Sequence, residues 1–320
     1  MSYTLILSAA VVLIAAYLIH NYRTYLTHRI NRFDDVTLFE GSVYHAEHTD
    51  IIKKEATSES DTTVICFPGF LENQHYFLEL YQDEDIEFIG INNANYYSGF
   101  VAKKTEALDS SNKNPYEMSS IEHDAFVLCQ VIEKLATREN IIVHGHSRGG
   151  AVILEAGRQR PDLTQSIRAI LEAPVLPKAK VSNRLEMLVK FGGFYTFPLF
   201  LNAMRRLPTK RMITERSYYP LTERKKEILS KSSQLPKQYS TAISNMHDIR
   251  NWQLLSDYDL YGNFKEITVV LPEQDSVLCR KTMHTSARAI DTVNIVETND
   301  TNHFITLEKP EAMRAILFPV

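Results

Sequence analysis

Cysteine is scarce in this chain of 320 residues. Cys66, Cys129 and Cys279 are odd in number and far apart. They offer neither the pairing of a disulfide-stapled domain nor the short spacing of a zinc site, and a reducing compartment is the simpler fit. Glycine and proline are modest, and no fixed-period repeat occurs, which excludes low-complexity and solenoid designs. A net charge of −4 lacks the basic excess expected of a chain whose main partner is nucleic acid. No metal or organic cofactor is implied. What remains is a globular composition, 44% apolar and 23% charged, long enough for one large domain or two small ones.

Charge is absent altogether from "YTLILSAAVVLIAAYLI", residues 3–19. As a helix this run reaches about 25 Å, close to the roughly 30 Å hydrocarbon core of a bilayer. Tyr3, Tyr22 and Tyr25 suit the interfacial belts. A secretory signal would carry Lys or Arg before the run and small residues after it, and both are missing. No polar face interrupts the run, unlike a helix packed in a core. The expectation is a single-pass membrane anchor over residues 1–22 and a juxtamembrane linker over 23–35. Arg23, Arg29 and Arg32 follow the apolar run, so the positive-inside rule puts the body in the cytoplasm.

Further on, short Ile- and Val-rich runs end in turn residues: "TTVICFPGF", "IEFIGINN", "NIIVHGHS", "IRAILEAPV", "ITVVLPEQD" and "VNIVETND". Such runs are strands buried on both faces. Helical periodicity separates several of them, as in "SSIEHDAFVLCQVIEKLATREN" and "GAVILEAGRQRP". The alternation predicts an α/β fold with a mostly parallel central sheet and helices on both faces. Residues 36–175 and 266–320 form this core. Residues 176–265 lack clear strands and predict a helical cap over the C-terminal sheet edge. Residues 103–120 are polar and predict a surface loop.

Chemistry concentrates in Gly145-His146-Ser147-Arg148-Gly149, a G-x-S-x-G pattern between a strand and a helix. There a serine sits on a strained turn, and Gly145 and Gly149 are small so that strand and helix can approach. Serine needs a base, and this motif places acid and histidine later in the chain. His303 lies after the last strand, where a loop can bring its imidazole over Ser147. His284 and His247 are the other downstream choices. Asp275 closes a strand and leads as the orienting acid; Glu172 ends another strand, and alternation turns Glu273 elsewhere. In "FPGFL", Gly69 permits a turn that presents the Phe70 N–H, with the Arg148 N–H as a second oxyanion donor. The Arg148 side chain either pairs with an acid or reads an anionic substrate.

"FPGF", "GHSRGG", "LPEQD" and "TNHF", in this order, resemble the α/β-hydrolase superfamily over residues 36–320. The chain departs from the common pattern at Pro68 before Gly69, at Pro272 before the acid, at "INNANYYSGF" and at Arg148. A serine at the elbow differs from the carboxylate of relatives that open epoxides or displace halide. The resemblance implies a serine esterase or lipase that forms an acyl-enzyme through Ser147, His303 and Asp275. Acyl transfer to another acceptor, thioester cleavage and a non-catalytic binding protein stay open as alternatives.

Residues 178–231 carry +9 within a chain of −4, together with the aromatic run "FGGFYTFPLFLNAMRRL". Such a cap suits anionic headgroups and an acyl chain, so the expected partner is a small acyl ester or lipid beside a membrane. Solvated helices covering the core are the plainer alternative.

Overall fold

The computed structural model describes residues 3–57, 59–108, 113–190, 192–206 and 218–318. Its main sheet is built from β2 (Ser42–Ala46), β3 (Thr49–Lys54), β4 (Thr62–Phe67), β5 (Glu87–Ile91), β7 (Lys104–Ala107), β8 (Asn140–His146), β9 (Arg168–Glu172), β10 (Glu266–Pro272) and β11 (Val293–Thr298). The order across the sheet is β11-β10-β9-β8-β4-β5-β3-β2-β7. From β11 to β5 every pair is parallel. Only the β5–β3 and β3–β2 pairs are antiparallel. The short strands β1 (Thr37–Leu38) and β6 (Phe100–Val101) pair separately.

Parallel strands need crossovers, and helices supply them on both faces. Ile65, Val143, Leu171 and Val269 pack on one side with α3 (Ile121–Lys134) and α4 (Arg148–Gln159). Their sequence neighbours Val64, Ile142, Ile170 and Val270 pack on the other, with α2 (His75–Tyr81) and the C-terminal helix Pro310–Leu317. This alternation within each strand is why the runs read as continuously apolar. Ser120 caps α3 by accepting from the His123 N–H at 3.0 Å.

Two expectations are corrected. The stretch foreseen as a polar loop contains β7, paired parallel with β2. All four of its residues are exposed, so no buried periodicity marks it, and the edge of β2 is what orders it. Residues 109–112 of that stretch lie outside the described residues. The segment expected to be a linker, residues 23–35, is helical at its start: α1 runs Tyr3–His28 without a break. Its last turns are held by packing, with Leu26 buried against Leu201, Tyr239 and Ala242. α1 is long and apolar enough to cross a membrane.

Between β9 and β10 the described residues form helices and no strand. They include α6 (Asn183–Lys190), α7 (Gly193–Arg206), α8 (Glu223–Lys231) and α9 (Tyr239–Leu255), whereas α5 (Pro161–Thr164) lies just before β9. α7 and α9 receive the end of α1, where Asn202 Nδ2 donates to Tyr22 Oη at 3.1 Å. Residues 207–217 of the basic segment lie outside the described residues.

The elements meet most tightly where α4 begins. A Cβ on Gly149 would lie 2.1 Å from the Phe67 carbonyl oxygen at the end of β4. One on Gly145 would lie 2.6 Å from the Gly149 backbone. Gly149→Ala is therefore expected to destabilise the fold by about 1–3 kcal/mol or more, as overpacking does. Thermal unfolding would record this as a Tm lower by several degrees, while an unchanged Tm would mean that α4 can move away from β4.

Candidate active site

Parallel strands bring their C-terminal ends to one edge, and the expected residues follow four of those ends. Phe70 follows β4, Ser147 follows β8, Asp275 follows β10 and His303 follows β11. Ser147 has φ 50° and ψ −113°, a left-handed conformation that costs a non-glycine residue on the order of 1–3 kcal/mol. Backbone bonds hold it there: its N–H donates to the Glu172 carbonyl at 2.9 Å, and its carbonyl accepts from Val175 N at 2.8 Å.

His303 Nε2 lies 3.1 Å from Ser147 Oγ, and His303 Nδ1 lies 2.8 Å from Asp275 Oδ2. A carboxylate only accepts, so Nδ1 carries the proton and Nε2 is free to accept from the serine hydroxyl. The other oxygen, Asp275 Oδ1, accepts from Val277 N at 2.8 Å and Leu278 N at 2.7 Å. Asn302 ties the two loops together, since its Oδ1 accepts from His303 N at 2.8 Å and Ser276 N at 3.0 Å. Neither the Phe70 N–H nor the Arg148 N–H has an acceptor among the described residues. Both remain available as donors.

The alternatives fall elsewhere. His284 lies 3.6 Å from Glu297, and His247 stacks on Phe194 with centroids 3.9 Å apart. Glu273 accepts from Asp300 N at 2.6 Å. Glu172 is fully buried and accepts from Tyr76 Oη (2.6 Å), His144 Nε2 (3.1 Å), Thr306 N (2.7 Å) and Thr306 Oγ1 (2.8 Å). Burial opposes its charge, but the His144 bond, the charges of His146 and His144 and the Tyr76 bond outweigh burial and bring it down to about 2. Glu172 thus anchors the segment after His303 and makes no bond to that imidazole.

The Arg148 side chain is fully buried, with Nη1 2.6 Å from Asp124 Oδ2 and 2.7 Å from Asn93 Oδ1, and Nη2 3.0 Å from the Ser119 carbonyl. Of its two expected roles, pairing with an acid is the one the geometry has.

One pair had no signal beyond an acid three residues after Gly69. His146 Nδ1 lies 2.8 Å from Glu72 Oε2, and His146 Nε2 lies 2.8 Å from the His303 carbonyl. Tyr76 stacks on the ring at 4.3 Å. Both ring nitrogens face acceptors, so the imidazole must donate from both. Burial opposes that charge, yet the Glu72 charge and hydrogen bond, with Glu172 further off, lift His146 to about 9. A raised folded value stabilises fully below the unfolded value of about 6.5 and is lost as pH rises through about 9. Histidine ¹⁵N NMR at neutral pH should show both His146 nitrogens protonated, with one proton lost only near pH 9. A neutral His146 at pH 7 would contradict the paired state.

The alpha/beta hydrolase family profile matches residues 64–316. No curated protein matches the sequence. Among solved structures, a membrane phospholipase A described as a bacterial virulence factor is similar at TM-score 0.59 and 14% identity, over 98% of this chain and 95% of its own. An esterase from Thermogutta terrifontis is similar at TM-score 0.59 and 15% identity, over 84% and 92%. A serine hydrolase from Cycloclasticus zankles is similar at TM-score 0.60 and 15% identity, over 87% and 96%. At these identities the likeness is one of fold.

Proposed function

Because the chain belongs to the alpha/beta hydrolase family, we propose that it is a membrane-anchored serine hydrolase of carboxylic esters, with lipid-like acyl esters as substrates. The observation that carries this is the chain of hydrogen bonds from Ser147 Oγ through His303 to Asp275, set on a strained turn at the sheet edge.

Ser147 Oγ attacks the ester carbonyl carbon while its proton passes to His303 Nε2. Asp275 orients the ring and stabilises the imidazolium. The N–H groups of Phe70 and Arg148 hold the oxyanion, aided by the positive end of α4. The tetrahedral intermediate collapses, the bond to the alcohol oxygen breaks, and His303 returns the proton to that oxygen. Water, deprotonated by His303, then attacks the acyl carbon, the bond to Ser147 Oγ breaks, and His303 returns the proton to Oγ as the acid leaves.

What surrounds Phe70 supports this substrate class. Its ring stacks on Phe197 of α7 at 6.0 Å, and Phe197 on Phe200 at 6.2 Å, with Phe200 exposed. α7 also carries Tyr195, whose hydroxyl lies 2.9 Å from His20 Nδ1 on α1. A row of apolar rings therefore leads from Phe70 along α7, the helix that packs against α1. The helices between β9 and β10 act as the cap over the edge, and Arg23, Arg29 and Arg32 after the apolar run favour a cytoplasmic body. The likeness to a membrane phospholipase A runs over nearly the whole chain, apolar helix included.

A fluorophosphonate probe should label the full-length protein, and Ser147→Ala should abolish labelling and lower ester turnover by at least about 10³-fold. A folded wild type that resists the probe would favour a binding protein instead. In detergent, turnover should rise from acetate to long-chain esters, since each buried methylene adds about 0.8 kcal/mol. Equal rates on both would remove the lipid assignment. Product analysis with competing alcohols separates hydrolysis from acyl transfer.

A further inference from the structure

The Phe70 N–H can serve a reaction only if it points the right way, and a short loop does not fix that by itself. Phe70 N and the Gly69 carbonyl belong to one planar peptide group, in which the N–H and C=O point in opposite directions. Whatever holds the Gly69 oxygen therefore aims the Phe70 N–H. That oxygen accepts from Asn93 Nδ2 at 2.9 Å, and the same Nδ2 lies 3.1 Å from the Glu72 carbonyl. Asn93 is 1% exposed.

An asparagine amide can sit either way round, and the wrong way would turn its oxygen against the Gly69 oxygen. Arg148 settles which way applies. Its guanidinium donates only, and Nη1 lies 2.7 Å from the other side of the Asn93 amide. That atom must be Oδ1, which leaves Nδ2 for the loop. Arg148 is itself held by Asp124 at 2.6 Å and the Ser119 carbonyl at 3.0 Å. On the far side, Gly69 N donates to Glu72 Oε2 at 2.8 Å, the oxygen that also meets His146. The two residues flanking Ser147 thus reach the same loop from opposite sides.

We propose that Asn93, oriented by the Arg148 side chain, is a positioning residue that aims the Phe70 N–H at the substrate's acyl oxygen. This rests on the serine hydrolase assignment. It explains why a charged side chain next to the nucleophile is buried and bonded to Asn93, Asp124 and the Ser119 carbonyl. Arg148 then serves the oxyanion twice, by its own N–H and by setting the direction of the second donor.

Asn93→Asp tests this with the same shape. The aspartate still accepts from Arg148 but offers an oxygen, not an N–H, to Gly69. With a short p-nitrophenyl ester, kcat should fall on the order of 10²-fold, as when one oxyanion donor is lost. KM should stay within about threefold, because ground-state binding is untouched. Affinity for an alkyl boronic acid, whose tetrahedral adduct carries the anionic oxygen, should fall in parallel with kcat. Asn93→Ala, with unfolding monitored beside activity, should show the same split. Unchanged kcat in either variant, or a loss confined to KM, would overturn the proposal. A wild type that neither reacts with fluorophosphonate nor turns over ester would instead sink the hydrolase assignment. Should that occur, the amide ¹⁵N–H signal of Phe70 in wild type and Asn93→Asp still reads whether Asn93 sets that group, and identical signals would overturn the proposal.

Discussion

The close approach of α4 to the ends of β4 and β8 is the constraint from which the candidate site follows. With no Cβ at Gly149, the start of α4 sits against the Phe67 carbonyl, and with none at Gly145 the strand passes under the helix. The chain can turn from β8 into α4 in that space only by forcing Ser147 to φ 50°. The turn lifts the serine to the sheet edge and leaves the N–H of Arg148 without an acceptor among the described residues. Loops from three other strands then need only reach that point.

Around the turn, buried basic side chains are arranged with a period of two. His144, His146 and Arg148 each meet a different acid: Glu172, Glu72 and Asp124. Buried pairs of this kind add little net stability once desolvation is counted, but removing one partner leaves a costly unpaired charge. Their effect is to fix geometry. Glu172 holds Thr306 beyond His303, Glu72 holds the turn at Gly69, and Arg148 sets the amide of Asn93. Farther out, Lys225 on α8 pairs with Glu308, which also accepts from Asn302 N, so the insertion is tied to the histidine loop.

What the sequence revealed follows from how local each signal is. The parallel strands were legible because burial on both faces writes itself into consecutive residues such as Val64 and Ile65. The turn at Ser147 was legible because its steric demand falls on Gly145 and Gly149 nearby. Chain order pointed to His303 and Asp275. β7 was not legible, since an exposed edge strand has no apolar period. The continuation of α1 to His28 depends on Leu26 packing against residues about two hundred positions away. Glu72 and Asn93 were hidden for the same reason: their partners His146 and Arg148 are 74 and 55 residues on.

Reaction at this edge requires the oxyanion, the nucleophile and the base to converge on one small volume. The most direct test is a crystal structure of the protein after reaction with a phosphonate. Phosphorus should be bonded to Ser147 Oγ, with its free oxygen about 3 Å from the N–H groups of both Phe70 and Arg148. His303 Nε2 should then face the position of the leaving group. A phosphonate attached to another residue, or one on Ser147 with its oxygen turned away from both N–H groups, would contradict the account.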